Sequence, residues 1–163
     1  MSTISQKDFT DSLFQLLKET FEGAPADVGS AYLDKGAGLF QTLDALSAAD
    51  ASRGPWPGAS TVAAHCEHAR FYVHALLDFM RGATEKVDWG RSWLVREVSA
   101  DEWDRLRAGL RAAYETLDAT LRAAPAWRDE EVGDSMAILA HTAYHLGAVR
   151  QLASAAKAVN REP

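Results

Sequence analysis

The sequence predicts an all-α protein: a bundle of four long helices with an extra N-terminal helix, in a single domain covering residues 1–163. Apolar residues recur at steps of three and four along most of the chain, the alternation of a half-buried strand is nearly absent, and glycine and proline clusters cut the pattern into pieces of helix length. A chain of 163 residues can bury one core. With 47% hydrophobic and 25% charged residues it has the make-up of a globular chain and too much apolar content for a disordered one.

From Ser5 to Phe21 the positions Phe9, Leu13, Leu16, Leu17 and Phe21 form one stripe, stopped by Gly23 and Pro25. Leu39, Leu43 and Leu46 mark a second segment reaching about Ser47. Gly54–Pro55–Trp56–Pro57–Gly58 is a loop, because neither residue type sustains a helix there. The next helix is expected to start at Ala59 or Ser60 and to run to about Arg81, with Gly82 as its stop. Residues 83–98 form the longest connector, and its two tryptophans, Trp89 and Trp93, carry enough aromatic surface to require packing over the bundle.

Ser99 followed three residues later by Glu102 is a capping box, and the helix it opens shows a bundle seam of Trp103, Leu106, Leu110, Ala113, Leu117 and Leu121. Pro125 closes it. Asp129, Glu130 and Glu131 suit a first helical turn, where negative charge meets the positive dipole end. The last helix is expected over Asp134 to about Ala158.

Charge and targeting narrow the function. A formal net charge of −6, with no basic patch, argues against nucleic-acid binding. No run reaches the roughly 18 apolar residues of a membrane span. Charged residues scattered between Met1 and Gly23 do not make a signal peptide, so a cytoplasmic location is the expectation. Cys66 is the one cysteine, which leaves no internal disulfide framework. No GxSxG turn and no glycine-rich phosphate loop after a strand is present.

The five histidines carry the strongest chemical signal. His141 and His145, four apart on a helix, lie about 40° from each other on one face. His65 and His68 differ by about 60° on theirs, whereas His74 is turned about 120° from His68 and Cys66 about 160°. Glu67 falls about 100° off the His68 face and is expected to be exposed. Small or apolar neighbours, among them Ala64, Ala140, Ala143 and Gly147, allow two such helices to approach and place imidazoles from both on one divalent ion. Either His65 or His68 could join the late pair on these grounds.

The run Thr61, Val62, His65, His68, Ala69, Tyr72, together with His141–Thr142–Ala143–Tyr144–His145–Leu146–Gly147 and Arg150–Gln151, resembles the DinB/YfiT-like superfamily, from about Phe9 to the end of the last helix. The resemblance implies up-down-down-up topology, a homodimer, and a divalent metal held by one histidine of the second bundle helix and two of the last. Matched position by position, the ligands are His68, His141 and His145; His68 is preferred because it stands seven residues after Thr61, at the helix start, and His65 is left beside the centre or as an extra ligand.

Three imidazoles and an open position suit a catalytic metal better than a closed structural one, and nitrogen ligation suits Zn or Ni. The chemistry expected is Lewis-acid activation of a water or of a low-molecular-weight thiol substrate, as in a thiol S-transferase or hydrolase. Tyr72 and Tyr144 are candidate hydrogen-bond donors. Asp134, two turns and about 10 Å before His141, is the candidate proton acceptor, and a distant one. The competing expectations are a helical binding or structural protein holding a structural metal or none, and a stress-response accessory that acts on another protein.

Overall fold

The computed structural model describes residues 4–25, 27 and 29–159, and among them the regular structure is entirely helical. The ends of the expected 1–163 domain, residues 1–3 and 160–163, lie outside the described residues. The helices are α1 Gln6–Glu22, α2 Leu39–Asp44, α3 Ala48–Ala51, α4 Val62–Met80, α5 Ala100–Ala123 and α6 Asp129–Val159, with a 3₁₀ turn, Trp89–Trp93, between α4 and α5.

Side-chain pairings give the directions of the four long helices. Phe21 stacks on Tyr114 and the Arg122 guanidinium lies over the Phe14 ring, so α1 and α5 run antiparallel. The imidazoles of His65 and His68 meet those of His145 and His141, so α4 and α6 are antiparallel as well. Thr61 Oγ1 donates to the Arg96 carbonyl and the Arg70 stem lies over Gly109, which makes α4 and α5 parallel. The order is therefore up-down-down-up. The parallel pair forces the connector 81–99 to travel back along the bundle, and this places Trp89–Trp93 against α4.

The core is one continuous cluster in which Leu17, Phe21, Leu43, Val62, Leu77, Leu110, Leu117, Ile138 and Leu146 are all essentially inaccessible. α5 buries the seam expected of it, Trp103 through Leu121. Its capping box is formed: Ser99 N donates to Glu102 Oε2 at 2.8 Å, and Glu102 N donates to Ser99 Oγ at 3.4 Å.

Several boundaries differ from the sequence reading. α4 begins at Val62, not at residue 59 or 60, because the Thr61 side chain caps it by accepting from Ala64 N at 3.2 Å. The second segment breaks after Asp44, and Ser47 opens the separate turn α3 with its own capping box. α6 begins at Asp129 rather than Asp134, and the acidic run forms its first turn, as its charge suits; Glu131 turns back to accept from Arg128 N at 3.0 Å.

The segment between α1 and α2 is tied down by a buried carboxylate. Glu19 accepts from the backbone N–H groups of Ala31, Tyr32 and Leu33 at 2.7, 2.8 and 2.6 Å and from Ser30 Oγ at 3.0 Å. Burial alone would push its pKa up, but these donors outweigh burial and hold it at about 2. Gly38 sits on this segment's return, where a Cβ would lie 2.3 Å from Gly23 N, so only glycine allows the two backbones to meet.

Candidate metal centre

α4 and α6 cross with their histidine faces together. His68 Nε2 lies 3.0 Å from His141 Nε2, and His141 Nε2 lies 3.2 Å from His145 Nε2. One nitrogen from each of His68, His141 and His145 falls within 4.8 Å of the other two. Nitrogens bound to one tetrahedral ion at about 2.0–2.1 Å stand roughly 3.3 Å apart, so little movement separates this arrangement from a coordinating one. His68 is 8% and His145 5% exposed, and His141 is half-buried. The donor set fits a divalent transition metal: three converging imidazole nitrogens with no carboxylate among them.

The imidazoles are held neutral, as ligands must be. Burial, then the neighbouring His68, lowers the pKa of His141 to about 4. Burial, then His141, His68 and His65, lowers that of His145 to about 3. His65 and His68 are lowered too, chiefly by burial. Protonating one ring places charge in a dry site beside others that would also have to carry it.

The surroundings fix each ring. Trp93 stacks on His68, with centroids 4.1 Å apart, and meets His65 edge-on at 5.3 Å. Tyr72 stacks on His141 at 3.6 Å and 9°. Ser92, fully buried in the 3₁₀ turn, has its hydroxyl 2.7 Å from His68 Nδ1 and donates to the Trp89 carbonyl at 2.7 Å. His65 Nδ1 lies 2.9 Å from His145 Nδ1, which sets it against the outer side of that ring, away from the three converging Nε2 atoms.

The remaining candidates are more scattered. Tyr144 is 74% exposed and only its ring edge meets His145, at 5.0 Å between centroids. Neither the Tyr72 nor the Tyr144 hydroxyl is hydrogen-bonded to a histidine among the described residues. Asp134 lies in the second turn of α6, half-buried, and is hydrogen-bonded to no imidazole among the described residues, though its charge helps to raise the pKa of Tyr72 after burial has done so. Glu67 is not free in solvent either, for Arg70 grips it with two nitrogens at 2.8 Å each. His74 is exposed, and Cys66 is buried away from the cluster with its thiol pKa pushed up by burial.

Sequence reasoning missed Ser92. Its partners are 24 residues and three residues away, and no local motif marks it. The two tryptophans beside it were the available signal, since they require the connector to lie against α4.

An all-α bundle with three imidazoles meeting between two antiparallel helices defines the class: a helical-bundle protein with a histidine centre suited to metal. The sequence model of the DinB superfamily matches residues 34–149, and the chain belongs to that superfamily. The matched stretch contains the connector and all three converging histidines, and leaves α1 outside. No curated protein and no solved structure matches the chain.

Proposed function

We propose that this protein is a metal-dependent enzyme of the thiol-transferase or hydrolase type, in which His68, His141 and His145 hold one Zn or Ni ion. The observation that carries the reading is the convergence of three Nε2 atoms from α4 and α6, with spacings of 3.0 and 3.2 Å between neighbours. Three protein ligands leave a coordination position for a small molecule, and the bound ion supplies Lewis acidity that favours the deprotonated form of a thiol or a water.

The chain's own groups supply the rest. Tyr72 and Trp93 hold the imidazole planes by stacking and keep water from their faces. An uncharged groove of about 530 Å³ borders His65 and is lined by Trp56, Ala148 and Leu152 among others; this reading places the apolar part of an electrophilic substrate there. Tyr144, at the rim, is assigned a hydrogen bond to substrate. Asp134 is too remote to take the proton directly, which favours a low-molecular-weight thiol, acidic enough to ionise at the centre, over water as the nucleophile.

The reading includes a homodimer. The exposed positions of α6 between residues 133 and 155 are Gly133, Met136, Ala140, Tyr144, Gly147, Gln151, Ser154 and Ala155, with no charge among them. Such a face suits close packing against a second copy. No helix among the described residues is long and apolar enough to cross a membrane.

A panel of small thiols with electrophilic acceptors, assayed on Zn- or Ni-loaded protein, tests the activity. Turnover that disappears with chelator and returns with metal is the expected result. A protein that loses thermal stability on chelation but turns over no thiol and hydrolyses no ester or amide would instead be a binding protein with a structural metal.

A further inference from the structure

The connector between α4 and α5 reaches the centre through a single hydroxyl, and the hydrogen-bond inventory at that hydroxyl has one solution. Ser92 has one proton to give, and it points at the Trp89 carbonyl, 2.7 Å away, an atom that can only accept. Its contact with His68 Nδ1, also 2.7 Å, must then run the other way, with Nδ1–H donating to Ser92 Oγ. A neutral imidazole with its proton on Nδ1 has a lone pair on Nε2, and His68 Nε2 is the atom that faces His141 and His145. Ser92 is fully buried, so no water competes for either bond.

With a lone pair on His68 Nε2 and 3.0 Å between it and His141 Nε2, the metal-free contact requires the proton on His141 Nε2. His141 Nδ1 is then unprotonated, and it is buried without a hydrogen-bond partner among the described residues. Of the two rings, His68 is set in the ligand tautomer before any ion arrives, and His141 must move its proton from Nε2 to Nδ1 to coordinate.

We infer that Ser92 is a positioning residue of the metal centre: by accepting from Nδ1 it fixes His68 as the preformed ligand that captures the ion, while His141 changes tautomer on binding. This rests on the metal reading above, except for the tautomers of the metal-free protein, which do not depend on it.

Imidazole nitrogen-15 spectra of the chelator-treated and Zn-loaded protein test the inference, together with Zn affinity from competition with a chromophoric chelator. The metal-free wild type is expected to show His68 protonated on Nδ1 and His141 on Nε2, with only His141 of the two exchanging position on loading. Ser92→Ala is expected to mix the His68 tautomers and to weaken Zn binding by about 10-fold or more, the usual size of losing an outer partner of a ligating histidine. Ser92→Thr, which keeps the hydroxyl, is expected to restore both readouts. Should Ser92→Ala disturb the turn, the tautomers of the wild type alone decide the question.

His68 protonated on Nε2 in the metal-free wild type would overturn the inference. So would unchanged Zn affinity in a folded Ser92→Ala protein. Wild-type protein with the expected tautomers but no affinity for Zn or Ni would sink the metal reading and leave the tautomer assignment standing.

Discussion

His65 and His68 stand one turn apart on the same face of α4 and do different things, and the distinction is visible only in which ring nitrogen faces which neighbour. His68 sends Nε2 into the cluster, while His65 offers Nδ1 to the outer nitrogen of His145, 2.9 Å away. Removing His68 therefore deletes a proposed ligand and leaves Ser92 with an empty side, whereas removing His65 deletes only a support for His145. Zn affinity measured by chelator competition should fall by more than about 100-fold in His68→Ala and by roughly 10-fold in His65→Ala, the latter within the range of outer-partner losses. The reverse order would mean that the wrong histidine of α4 has been assigned. At this scale the sequence was informative about residue type and silent about atoms. Helical spacing paired His141 with His145 and His65 with His68, but no spacing rule states which nitrogen a ring presents, and Ser92 has nothing local to distinguish it from any other serine in a connector.

The helices and their connections divide by where their determinants lie. Local signals sufficed for α5, whose capping box and apolar seam are contained in its own sequence. They failed for the stretch after Leu39, where a fresh Ser47–Asp50 capping box restarts the chain and yields two short helices in place of one. At the start of α6 the acidic run marks the first turn, as its charge suits, while the apolar pattern alone starts the helix only at Asp134. The segment 30–33 has no repeating pattern at all and is ordered by a side chain from another element, Glu19 on α1. Glu19→Gln keeps the size but puts an NH₂ group against backbone N–H donors and removes the charge from four hydrogen bonds. Its expected cost is about 3 kcal/mol, from the usual worth of hydrogen bonds to a buried charged group, read as a lowered midpoint in urea unfolding. A change under about 0.5 kcal/mol would show that the segment is held by other contacts.

On the scale of the whole molecule, folding pushes α4 against α6 and gathers four imidazoles into a space that disfavours their protonation. His141 and His145 have folded-state pKa values of about 4 and 3, below the value of about 6.5 for a free histidine. The unfolded chain therefore binds more protons between these values, and the stability of the metal-free protein is whole above about pH 6.5 and is lost as pH falls through the window towards 4. Glu19, lowered to about 2, adds a second loss once pH drops below the ordinary carboxylate range. Thermal unfolding of chelator-treated protein from pH 7.5 to 4.5 should show a steadily falling midpoint, and His145→Phe should flatten the fall; a level wild-type profile would contradict the burial of these rings. The general plan of this molecule was legible because helical periodicity and the DinB-like motifs run through most of the chain. The three-dimensional meeting of residues 68, 141 and 145 is the part that needed the fold. Metal content of the purified protein by elemental analysis, after dialysis against Zn or Ni, tests that meeting most directly. The account predicts one ion per chain in the wild type and a loss of stoichiometric binding in each of His68→Ala, His141→Ala and His145→Ala; one ion retained by a folded His141→Ala chain would contradict it.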